Sequence, residues 1–116
     1  MSMLSAAGGP DAIRTAVDIF DARMTSDPVL AHYLASIDMS HLRAHQKAFL
    51  LAALGGPDLY TGRDMRAAHQ GLGISDTEFD LAMGHLAVAL REANVSDDVI
   101  SGIARRLASL RQQIVV

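Results

Sequence analysis

Apolar residues recur at helical spacing in four stretches of this chain, and nowhere do they alternate as a strand requires. That pattern sets the fold class as all-α. The first helix follows Gly8-Gly9-Pro10, with the proline suited to a first turn, and aligns Ile13, Ala16, Val17, Phe20 and Met24. Asp27-Pro28 ends it. An irregular stretch, 29–37, leads to a second helix starting near Asp38 or Ser40, either of which can cap. Leu42, Gln46, Phe49, Leu50 and Ala53 share its inner face, and Gly55-Gly56-Pro57 stops it. A connection over 58–63 and a short helix over 64–70 follow, closed by Gly71 and Gly73. Ser75 and Glu78 have the spacing of a capping box. They open a third long helix with Phe79, Met83, Leu86 and Leu90 inward, ended by Asn94. Ser96 caps the last helix, which points Ile100, Ile103, Leu107, Leu110 and Ile114 inward through to the C-terminal end.

At 116 residues the chain is expected to form one domain, 1–116. Half of it is hydrophobic and a fifth charged, which excludes a disordered chain. The absence of cysteine excludes disulfides, thiolate catalysis and cysteine-held metals. A net charge of −3, with Lys47 the only lysine, leaves no basic footprint for nucleic acid. No apolar run approaches the ~18 residues needed to cross a bilayer, and residues 1–10 lack a signal-type stretch. A cytoplasmic protein without membrane or nucleic-acid partners is the expectation. Aromatics are scarce: three Phe, two Tyr and no Trp. The core must be filled by aliphatics, or by something bulky that is not protein.

The segment 51–75 offers only about two turns of helix, and long connections in compact domains tend to be functional. His69 lies there, on an apolar stripe with Met65, Ala68 and Leu72. It reads either as a half-buried histidine bonded to a backbone carbonyl or as an axial ligand to haem iron. His41 and His45 are one turn apart. His45 borders the apolar face of the second helix, whereas His41 falls on its solvent side. His32 and His85 read as ordinary surface or boundary histidines. Gln46 sits in the middle of an apolar face, where a buried amide needs a partner, whether backbone, water or a ligand in a cavity. Asp21, beside Val17 and Phe20, reads as a solvated aspartate or as a group of the same kind.

The string LRAHQKAFLLAALGGPDLY over 42–60, continued by TGRDMRAAH to His69, resembles the group I truncated haemoglobins. Gly8-Gly9, Asp27-Pro28, Asp38-Met39 and Gly84-His85-Leu86 fit the same pattern. The resemblance implies a two-over-two helical sandwich around one haem b. His69 falls on the proximal iron ligand. Gln46 and Leu42 fall on the distal wall, and Phe49, Tyr60 and Met65 on haem contacts. His45 falls on a position that in some members is a lysine contacting a propionate, and in others a histidine that binds iron as a sixth ligand. The implied ligands are O2, NO and CO. NO dioxygenation or stress protection is the implied activity, an unidentified reductase the implied partner, and a monomer the implied state.

Two departures bear on the chemistry. Asp21 follows Phe20 where the family usually has a distal tyrosine. Leu34 stands where a phenylalanine packs on the haem, which implies weaker haem retention or a roomier pocket. An ionised Asp21 only accepts hydrogen bonds, whereas a protonated one donates to a ligand or acts as a general acid; a passive acceptor for Gln46 is the third possibility. Asp21 and Gln46 are therefore the candidate catalytic groups. A peroxidase-like haem enzyme with Asp21 as distal acid is a second reading, and a haem-free interaction module of globin fold a third.

Overall fold

The computed structural model describes residues 8–35, 37–53, 69 and 73–115. Among these there are helices and no strands. Helix α1, Gly9–Ser26, starts after Gly8, whose φ of 95° is left-handed; a side chain there would also meet the Ala12 Cβ at 3.0 Å. A single 3-10 turn, Ala31–Tyr33, lies within the irregular stretch. Helix α2 spans Met39–Ala53. Of its two candidate caps, Asp38 takes the role, its Oδ1 accepting from the backbone N–H groups of Ser40 (3.0 Å) and His41 (3.4 Å). Helix α3, Asp76–Glu92, begins with the complete capping box: the Ser75 side chain accepts from the Glu78 N–H, and Glu78 accepts from the Ser75 N–H. Asn94 ends it in the left-handed region at φ 67°.

The last segment differs from the expected unbroken helix. Helix α4, Asp97–Ala108, gives way at Ser109 and Leu110, and a separate turn, α5, spans Arg111–Ile114. The Ser109 hydroxyl donates to the Arg106 carbonyl at 2.6 Å, an alternative to the helical ladder that short hydroxyl side chains offer. Ile114 still reaches the core, so the inward face survives the break.

Packing runs α1 on α3, α1 on α2, α3 on α4 and α2 on α4, closing a ring around one core. Its buried members include Ile13, Val17, Phe49, Leu50, Phe79, Leu90, Ile103 and Leu107. Among the described residues no helix is long and apolar enough to cross a membrane.

A polar clamp fixes the angle between α1 and α3, and it corrects the reading of His85 as an ordinary boundary residue. The Arg23 Nε donates to His85 Nδ1 at 3.2 Å, and His85 Nε2 lies 2.7 Å from Asp27 Oδ2. A guanidinium can only donate, so Nδ1 accepts and the ring proton sits on Nε2, aimed at Asp27. The hydrogen bonds from His85 and from the Val29 N–H hold the Asp27 carboxyl below its ordinary pKa of 3.8. A depressed carboxylate stabilises the fold above its unfolded-state value and loses that contribution as pH falls through the folded one. Asp27→Asn is therefore expected to lower stability at neutral pH. Denaturant melts should show that deficit shrinking once the pH drops below 3.8. A deficit of constant size across that range would show that the carboxylate's charge contributes nothing.

Candidate functional site

Five of the predicted site residues, Leu42, His45, Gln46 and Phe49 of α2 together with His69, meet at one cavity. Residues from every side of the ring line it: Val17, Phe20 and Met24 of α1; Leu30, Tyr33 and Ile37 of the linking segment; Leu42, His45, Gln46, Phe49 and Leu50 of α2; and Phe79, Ala82, Met83 and Leu86 of α3. His69, itself helical, also faces this space. The helical period of α2 explains the grouping there. Leu42, His45, Gln46 and Phe49 are three or four apart, so they share a face. The walls are overwhelmingly aliphatic and aromatic, with two imidazoles and one carboxamide as the polar exceptions along α2 and at position 69.

The other sequence-predicted residues are distributed differently. Tyr60 and Met65, with most of the short helix expected over 64–70, lie outside the described residues. Leu34 is half-buried but is not among the described lining residues; its neighbour Tyr33 faces the cavity instead. Tyr33 was missed at the level of sequence, as was Glu78 beyond its capping role. The Tyr33 hydroxyl lies 2.8 and 2.9 Å from the two carboxylate oxygens of Glu78, and both side chains belong to the wall. The Ser75 N–H and then the Tyr33 hydroxyl keep the Glu78 carboxyl below its ordinary value, while the same bond raises that of Tyr33. His41 is exposed, its ring 6.2 Å from that of His45, and His32 is exposed against Tyr33.

Asp21 departs furthest from a solvated aspartate: it is 3% exposed. The reason is register. Asp21 follows Val17 by one turn on α1, which places it on the packed side of the helix. It does not line the cavity but lies by Gln46, whose amide tends to lower its pKa, as does Arg43. Burial outweighs both and pushes the carboxyl upward, with Asp18 adding to the rise. Among the described residues no hydrogen bond of good geometry reaches either Asp21 oxygen or the Gln46 Oε1, all three buried, although the Gln46 side chain comes close enough to act on the carboxyl. Each such acceptor costs about 1–3 kcal/mol when left unpaired.

The donor set can be tested against a bare metal ion and against a porphyrin. Among the described residues no three histidines, cysteines or carboxylates converge on one point. A metal at His69 therefore needs most of its ligands from elsewhere, as a tetrapyrrole provides them. A flat apolar macrocycle also suits walls of this composition, and it supplies the bulk that five aromatic residues do not.

Comparison with known proteins agrees with this geometry. The family model described as bacterial-like globin matches residues 2–116. A group 1 truncated hemoglobin of Synechocystis is 43% identical over 101 residues, covering 84% of this chain and 82% of the relative. Another, from Mycolicibacterium paratuberculosis, is 39% identical over 107 residues, 92% of this chain and 79% of the relative. Among solved structures, the truncated hemoglobin of Tetrahymena pyriformis in its Fe(III) form superposes with a TM-score of 0.88 at 32% identity, covering 98% of this chain and 97% of that one. The 2/2 hemoglobin of Synechococcus, in the cyanomet state with covalently attached heme, gives 0.89 at 32% identity, over 99% and 98%.

Proposed function

The chain belongs to the bacterial-like globins, and from that membership we propose that it holds haem b with His69 as the fifth iron ligand and binds diatomic gases on the opposite side. The observation that carries this reading is convergence: His69, His45 and Gln46 face one apolar cavity although 24 positions separate His45 from His69. When bound, haem supplies an iron that takes O2, NO or CO reversibly and changes by one electron.

The protein's own residues do the rest. His69 offers a neutral imidazole nitrogen. Leu42, Phe49, Phe20 and Met83 exclude water from the space where a ligand sits. Gln46 brings a carboxamide to that wall, and an amide N–H stabilises an electron-rich diatomic ligand by hydrogen bonding. His45, one residue before Gln46 on the same face, is placed to occupy the sixth position when no gas is present. The further activity proposed is NO dioxygenation. It joins one O2 to one NO with one electron to give nitrate, so sustained turnover calls on a reductase. A peroxidase-like reaction with Asp21 as distal acid is less well supported, because Asp21 is not on the cavity wall.

Absorption spectra of the purified protein test the reading. A Soret band with one haem per chain is expected, and its absence after reconstitution with hemin rejects the proposal. The ferric protein at neutral pH is expected to be low-spin, and His45→Ala to turn it high-spin. A parent that is already high-spin removes His45 from the sixth position and leaves Gln46 or water on that side.

A further inference from the structure

Three buried acceptor atoms on α1 and α2 are left without a well-formed hydrogen bond among the described residues. They are both carboxyl oxygens of Asp21 and the Oε1 of Gln46. A carboxylate can only accept, so an ionised Asp21 adds no donor. A carboxylic acid donates one bond, and the facing helix brings to Asp21 the side chain of Gln46, whose amide oxygen is the other buried acceptor without a partner among the described residues. We propose that Asp21 is held as the neutral acid in the folded protein and donates its proton to Gln46 Oε1, which turns the Gln46 Nε2 donor into the cavity.

Asp21 is then a positioning residue. It touches no ligand itself, in keeping with its place off the cavity wall. It decides instead which end of the Gln46 amide the ligand meets. The reverse arrangement, a carboxylate accepting from Nε2, would aim the bare amide oxygen at an electron-rich ligand and repel it. The charged groups facing Asp21 are Arg43 on α2 and Asp18 on α1, and they act in opposite directions. Enclosure outweighs the Arg43 charge and the Gln46 amide, both of which favour the carboxylate, and so shifts Asp21 toward the neutral form. The proposal rests on the haem reading only for what the Gln46 donor meets; the location of the proton does not depend on it.

Infrared difference spectra of the haem-loaded protein read the proton directly. At neutral pH the parent is expected to show a carboxylic-acid C=O stretch that vanishes in Asp21→Asn and shifts in Gln46→Leu. On the CO complex, the C–O stretch reports the donor. Asp21→Asn, which still donates to Oε1, is expected to leave it in place. Asp21→Leu should raise it as Gln46→Leu does, and the double variant should raise it no further. A parent without the acid band, a band indifferent to Gln46→Leu, or a C–O stretch unmoved by Asp21→Leu would each overturn the proposal. Should Asp21→Leu fail to fold, the acid band and its response to Gln46→Leu decide alone. A chain that takes up no haem rejects the haem reading instead, and its acid band remains measurable.

Discussion

His69→Gly is expected to leave a folded chain that no longer keeps haem. The argument is one of ligand count. Among the described residues no cluster of metal-binding side chains exists, so on the proposed reading the grip on iron runs through single imidazoles. Loss of a residue that merely orients a metal ligand typically costs 10–100-fold in affinity, and loss of the ligand itself should exceed roughly 100-fold. The apolar walls would still attract a porphyrin weakly, so the effect is best read as a rate. Transfer of haem to an acceptor globin should be far faster from His69→Gly than from the parent. Added imidazole should slow it by refilling the space left by the side chain. His45→Ala serves as the control, since it changes the spin state while haem stays in place. If instead His45→Ala sheds haem and His69→Gly keeps it, the two histidines have been given the wrong roles.

The residues that sequence could place correctly are those whose neighbours lie within one turn. Leu42, His45, Gln46 and Phe49 share a face because a helix repeats every 3.6 residues, and nothing beyond α2 is needed to know it. The Ser75–Glu78 box and the Asn94 terminus are local in the same sense. What escaped depends on partners far along the chain. His85 gains its role from Asp27 and Arg23, 58 and 62 positions away. Glu78 looks complete as a cap, and only the approach of Tyr33 from 45 positions away brings a hydrogen-bonded pair to the cavity wall. Asp21 is the instructive case. Its place beside Val17 and Phe20 left a solvated carboxylate and a buried one both open, because an aspartate is so seldom buried that spacing alone did not choose. A closed helix face with one charged member is a better signal than residue type alone. The break at Ser109–Leu110 escaped for a different reason, because the apolar period continues through it to Ile114.

Removing haem is expected to lower the melting temperature more than any single substitution. A ligand held at about 1,000 times its Kd adds roughly 4 kcal/mol to stability. In a domain of about this size, each kcal/mol moves Tm by about 4–8 °C, so the apo-protein should melt more than ~15 °C below the loaded one. The loss should also be uneven. The buried residues of α2 are Phe49 and Leu50, and both face the cavity. Without haem this helix loses what fills the cavity side of both residues and keeps only its packing on α1 and α4. Helix α3 keeps more: Ala89 and Leu90 are buried away from the cavity, and Arg111 binds Asp76 and Asp80 at 2.7 and 2.6 Å while covering the Phe79 ring. Hydrogen exchange on the apo-protein should therefore show α2 amides exchanging well before those of α3, over a broadened thermal transition. An apo-protein that melts as sharply and as high as the loaded form, with α2 equally protected, would mean that the helices close the cavity by themselves and that the walls are not shaped around a cofactor.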